Sequence, residues 1–188
     1  MQSKKVITLV GMPGAGKSFC VDHLKDKGLP SVYFGGITLE EVKKRGLDVN
    51  AENEKFVRED IRKQEGKDAY AKRIVVQINE FFAQGNDAVV ADGLYSWSEY
   101  KVFKETFGNN AVIIAIAAPR YLRHERLANR HIRPLTDEEV TAREYAEIEN
   151  IEKGGPIANA DYTIVNDGSS EELLQALDNV LAQAGIKL

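Results

Sequence analysis

Residues 6–20 read VITLVGMPGAGKSFC, and this stretch decides the fold. A five-residue apolar run, VITLV, has the composition of a buried strand and leads straight into GMPGAGKS at residues 11–18. That octet satisfies the pattern G-x-x-x-x-G-K-[ST] between a strand and a helix, the setting in which the pattern has a mechanism. Glycine lets the backbone curl until successive N–H groups face inward, and the positive end of the following helix adds to their field. A polyphosphate is the ligand such a loop fits. Gly11, Pro13, Gly14, Ala15, Gly16, Lys17, Ser18 and Phe19 form the expected contact set. Lys17 is expected to reach the β- and γ-phosphates, and the Ser18 hydroxyl to hold Mg²⁺. With glycine at about 7% of residues, a chance match in a chain this long arises roughly once in a hundred such chains. The loop is therefore read as a nucleotide site.

Composition narrows what can surround it. The chain has 188 residues, 43% hydrophobic and 29% charged, with a net charge of −4. This is the profile of one globular domain over residues 1–188, and it offers no polycation for nucleic acid or an anionic membrane. Cys20 is the only cysteine, which excludes an internal disulfide and fits a reducing, cytoplasmic setting. The opening MQSKKVITLV pairs positive charge with an apolar run, but that run is too short for a secretory signal.

Outward from the loop, short apolar runs alternate with charged, helix-like stretches. Strands are expected at 6–10, 31–34, 88–91, 111–118 and 162–166, and helices near 16–27, 38–45, 51–64, 67–84, 97–106, 119–131, 137–152 and 170–184. Thr136 with Glu139 and Ser169 with Glu172 read as capping boxes. Unbroken apolar runs such as 111–118 suit strands covered on both faces, so the class is α/β with a mainly parallel sheet.

Two features bear on where the phosphate goes. Asp92 ends the apolar run AVVAD, the position of a second magnesium-side group. Gly93 follows it where a water-activating glutamate would be expected in a hydrolase, and no N-K-x-D appears, which favours transfer to an acceptor. No lysine lies between Lys104 and Lys153, yet that segment holds Arg120, Arg123, Arg126, Arg130, Arg133 and Arg143, six of the ten arginines. On a helix running to Pro134, Arg123, Arg126, Arg130 and Arg133 would share an arc of about 80°. Arginine supplies a fixed fork for phosphate oxygens and keeps its charge when buried, which suits a loose phosphoryl-transfer transition state.

GMPGAGKS, FGGITLEEVKKRGL, VVADG, RHERLANR, TAREYAEIE and NADYTIVNDGSSEEL together resemble, in order, the nucleoside-monophosphate-kinase branch of P-loop kinases. The likeness is strongest to adenylate-kinase-related and dephospho-CoA-kinase-like proteins. It implies a three-layer α/β/α fold on a five-stranded parallel sheet, an ATP site with Mg²⁺ on Ser18 and Asp92, an acceptor-binding helical segment over about 35–85, and a lid over about 130–143. It also implies that Arg126 stacks on adenine and that Arg130 touches phosphate. Arg133 and Arg143 would act from the lid, with Lys17 and Asp92 completing the catalytic set, while Asn166 to Gly168 line the adenine pocket. The chain departs from the family at Gly36 and Leu39, where an aspartate and an arginine are usual, and at Leu94–Ser96, where Phe-Pro-Arg is usual. Replacement acceptor contacts are expected from Arg58, Arg62, Lys72 and Arg73, with Tyr95 or Trp97 as an aromatic surface. The reading is an ATP- and Mg²⁺-dependent kinase for a nucleoside monophosphate or dephospho-CoA. A nucleotide-binding regulator with a degenerate acceptor site and a slow ATPase are the alternatives.

Overall fold

Successive residues of a strand point to opposite faces, and here the two sets enter two different cores. The computed structural model describes residues 4–187; of the expected span 1–188, residues 1–3 and 188 lie outside the described residues. Strands β1 (Lys5–Val10), β2 (Ser31–Tyr33), β3 (Ala88–Asp92), β4 (Ala111–Ala117) and β5 (Tyr162–Val165) form one sheet in the order β2-β3-β1-β4-β5. Every pairing is parallel, with Ile7 opposite Val90 and Val112 and Ile114 opposite Tyr162. The five-stranded parallel sheet expected above is present.

Val6, Val89, Ala91, Ile113 and Ala115 face one core. It is closed by α2 (Phe34–Lys44), α3 (Ala51–Glu65), α4 (Ala69–Ala83) and α5 (Trp97–Phe107). Ile7, Leu9, Val90, Val112, Ile114 and Ile116 face the other, closed by α1 (Lys17–Asp26) and α9 (Ser170–Gln183) through Val21, Leu24, Leu173, Leu177 and Leu181. Both sheet faces are covered, which is why these strands lack polar alternation. The remaining helices are α6 (Arg120–Ala128), α7 (Asp137–Ile151) and the short α8 (Gly154–Ala158). No helix among the described residues is long and apolar enough to cross a membrane.

Three expectations need correction. First, α2 starts at Phe34, four residues before the expected 38, although Gly35 and Gly36 fall in its first turn. Burial of Phe34 and Ile37 offsets the weak helix propensity of the glycines. Second, α6 ends at Ala128 rather than near 131. The residue before a proline disfavours helix, and Arg133, before Pro134, adopts φ 52°. Third, α8 forms between the expected helix 137–152 and strand 162–166, where no element was expected; Pro156 lies in its first turn, where no N–H is needed, and is buried.

Candidate functional site

β1 lies between β3 and β4, so the loop that leaves its C-terminal end sits where the strand order turns, the usual ligand crevice of such sheets. Two glycines there are required by contact as well as by conformation. Gly14 has φ 78°, and a Cβ would lie 2.6 Å from the Arg123 carbonyl oxygen; Gly16 has φ 104°, and a Cβ would lie 2.4 Å from Asn166 Nδ2. Gly16 caps α1 without any side-chain hydrogen bond, which leaves the first-turn N–H groups available to an anion. Lys17 Nζ donates to the carbonyls of Gly11 at 2.7 Å and Met12 at 3.0 Å, so it folds back over its own loop. Burial, with Lys153 and Arg143 adding repulsion against Glu147 and Asp92, lowers its pKa to about 7.

A cavity of about 360 Å³ opens over this loop. Pro13, Gly14, Gly16, Lys17, Ser18, Phe19, Arg126 and Arg130, all expected at the nucleotide, line it together with Tyr95 and Arg143. Asn166, itself buried, donates from Nδ2 to the Ala15 carbonyl at 2.8 Å and accepts from Arg126 Nη2 on its own carbonyl at 3.2 Å. It braces both the loop and the arginine. Arg126 Nη1 is buried and has no hydrogen-bond partner among the described residues. Gly168 is exposed in the turn before α9 and does not line this cavity.

The four-arginine arc is not formed, and this is a correction. Arg123 turns into the protein: Nε donates to the Ala118 carbonyl at 3.1 Å, Nη1 to the Pro13 carbonyl at 3.3 Å, and Nη1 also pairs with Glu144 of α7. It props the loop from beneath. Arg133 is exposed, lines neither cavity, and offers its carbonyl to Arg130 Nε. The expected lid over 130–143 is an irregular link followed by the first two turns of α7.

A second cavity, of about 660 Å³, lies beside the first between α2, α3 and α7. Arg58 and Arg62 line it as expected for an acceptor site, with Tyr33, Phe34, Leu39 and Tyr70 as apolar wall. Arg62 is held from two sides, 5.1 Å over the Tyr70 ring and 3.9 Å from Glu99 Oε1. Glu99 is buried; its Oε2 accepts from the N–H groups of Tyr95 at 2.9 Å and Ser96 at 3.0 Å, closing the capping box of α5. Arg73 is not brought in. It pairs with Glu65 and lies 3.9 Å from Glu41, and Lys72 pairs with Asp68. Trp97 stacks on Tyr100, with ring centroids 4.8 Å apart, outside the cavity.

Tyr95 and Arg143 line both cavities. Burial pushes the Tyr95 phenol up, with Asp92 adding to the effect, so its hydroxyl stays protonated and able to donate. Arg143 donates through Nε to Glu147 at 3.0 Å, and Glu147 also pairs with Lys153, whose ammonium sits 4.9 Å from the Tyr95 ring centroid. Neither Glu147 nor Lys153 was expected. Lys153 lies just beyond the expected helix 137–152, where no element was expected, and follows the αL turn at Glu152.

Thr8 pairs with Ala91, so Asp92 follows beside Leu9 at the base of the loop. Burial pushes its carboxyl up, while Lys25 and Lys17 pull the other way. One hydroxyl and one carboxylate are hard oxygen donors, too few for a cage and suited to Mg²⁺, which keeps water and substrate phosphate oxygens. Among the described residues no group of three His, Cys, Asp or Glu could hold a metal by itself.

The sheet order, the loop and its flanks define a P-loop kinase-like protein. The chain belongs to the AAA domain family, whose model matches residues 7–154, and to the UPF0200 proteins. It is 36% identical over 185 residues to the UPF0200 protein of Thermococcus onnurineus (strain NA1), covering 95% of this chain and 99% of that one. Among solved structures it is similar to shikimate kinase from Acinetobacter baumannii, with TM-score 0.57, 20% identity and coverage of 99% of this chain and 97% of that one. It is also similar to a gluconokinase from Sinorhizobium meliloti 1021, with TM-score 0.60, 14% identity and coverage of 98% and 96%. At these identities the likeness is one of fold.

Proposed function

We propose that the chain transfers the terminal phosphoryl group of ATP, with Mg²⁺, to a small nucleotide-like acceptor. The observation that carries this reading is the pair of adjoining cavities, one over the phosphate loop and one walled by arginine, aromatic and carboxylate side chains, which share Tyr95 and Arg143. A hydrolase needs only the first. In-line transfer needs two ligands meeting at one point, and catalysis is then mostly positioning and positive charge.

In this reading Lys17 and the loop amides hold the β- and γ-phosphates, and Arg126 and Arg130 take the nucleotide side. Ser18 and Asp92 would hold Mg²⁺, whose contribution is to neutralise charge on the phosphate oxygens. Arg143 sits at the junction and steadies the group in transit. Arg58 and Arg62 take an anionic part of the acceptor, and Tyr95 can donate a hydrogen bond across the boundary. A phosphate acceptor brings its own oxyanion and needs no base. A hydroxyl acceptor must lose its proton as oxygen bonds to phosphorus and the bond to the bridging oxygen breaks toward ADP, and Asp92 is the residue suited to accept that proton.

An ADP-release assay tests this. It is run without acceptor, with each nucleoside and deoxynucleoside monophosphate, with dephospho-CoA, and with shikimate and gluconate. Acceptor-dependent turnover is the expected result. Equal turnover in every reaction would make the protein an ATPase, and binding with no turnover would make it a nucleotide-dependent regulator.

A further inference from the structure

Five cationic side chains line the phosphate cavity (Lys17, Arg126, Arg130, Arg143 and Lys153), and no carboxylate does. Lys153 is the most enclosed of them, with its side chain 3% exposed, and the scheme above gives it no task. It comes from the link between α7 and α8. There Glu152 adopts φ 56° and ψ 40°, a left-handed conformation that a residue with a Cβ resists, and the Lys153 N–H closes the helix on the Glu147 carbonyl at 3.1 Å. The chain thus accepts local strain to turn an ammonium group inward over the phosphate loop.

The counter-ion for that ammonium stands on the other side of the boundary. Glu147 lines the acceptor cavity, pairs with Lys153, and takes a hydrogen bond from Arg143 Nε at 3.0 Å. It therefore holds two of the five cations without entering the phosphate cavity. A buried lysine paired with one carboxylate, in a cavity lined by four other cations, is out of balance until a polyanion arrives.

Resting on the nucleotide-binding reading above, we infer that Lys153 is a phosphate-contacting cation and that Glu147 holds it in the ligand-free chain as a surrogate anion, which the entering triphosphate displaces. Burial, with Arg143 and Arg123 adding to it, lowers the Lys153 pKa, and Glu147 opposes that shift. A purely structural staple at the end of α7 would use the same contacts but would respond differently when one partner is removed.

Titration calorimetry with inorganic tripolyphosphate at pH 6.5 separates the two, on the wild-type chain and on Lys153→Met, Lys153→Arg and Glu147→Gln. Loss of one charge-assisted contact in Lys153→Met should weaken binding by about tenfold to a hundredfold. Lys153→Arg should retain most of the affinity. Glu147→Gln should bind more tightly than wild type, even as thermal unfolding shows a less stable fold. Unchanged affinity in Lys153→Met, or weakened affinity in folded Glu147→Gln, overturns the proposal. If Lys153→Met does not fold, the direction of the Glu147→Gln change decides alone. A wild-type chain that takes up no tripolyphosphate overturns the nucleotide reading itself, which keeps the two failures apart.

Discussion

Lys17 is held where its charge is least comfortable, and that gives it a proton signature. Its pKa falls from 10.5 to about 7, chiefly through burial. Between those values the unfolded chain holds the proton that the folded chain has lost, so stability without ligand should rise with pH across that window. A Lys17→Met variant should lose the Lys17 part of this rise in a denaturant series run at stepped pH, leaving the part due to Lys153, whose pKa burial also lowers. A bound polyphosphate favours the charged amine, so at pH 8 binding should draw in about one proton. Calorimetry in buffers of different ionisation heat measures it, and binding without proton uptake would contradict this account of the loop. At this scale the sequence was only partly legible. The loop residues were named from the motif and Arg126 from the resemblance, but Arg123 and Arg126 carry the same chemistry three residues apart. Only Glu144, 21 residues beyond Arg123, decides that Arg123 turns inward to brace Pro13.

Between elements, the α6–α7 junction is where packing and site meet. Glu144 receives Arg123 and, at 3.2 Å, Arg120, and its carboxylate is 3.5 Å from His124 Nε2. Removing it leaves the buried Arg123 charge without its partner, so Glu144→Ala should cost about 3–5 kcal/mol in a urea unfolding series. A loss under 1 kcal/mol would mean the junction does not depend on this pair. At the other end of α7, Glu152→Gly removes the left-handed strain and should stabilise the fold by roughly 1 kcal/mol. Lower stability in the same series would show that the turn is not strained. Element boundaries were legible where local chemistry sets them. The capping boxes at Thr136 and Ser169 form as read, because each is complete within four residues. The start of α2 and the existence of α8 were not legible, because burial of Phe34 and Pro156 outweighs their glycines.

For the whole molecule, the strands were the most legible feature, since a strand buried on both faces must be apolar throughout, while the order β2-β3-β1-β4-β5 was not read from the sequence. Pro13, Gly14, Gly16, Lys17 and Ser18 of the cavity over the loop were legible from one contiguous motif. The second cavity was legible only in part: Arg58, Arg62 and Tyr95 were named, but its lining comes from several helices, among them α2, α3, α5 and α7, and no spacing records that Glu99 of one helix steadies Arg62 of another. The central claim is a transfer from one cavity to its neighbour, and its most direct test follows the atom that moves. ATP labelled at the γ-phosphorus is incubated with the protein, Mg²⁺ and each candidate acceptor, and the products are separated. The account predicts label on one acceptor and no gain in inorganic phosphate over a Lys17→Ala control; label that goes only to inorganic phosphate, whatever acceptor is present, would contradict it.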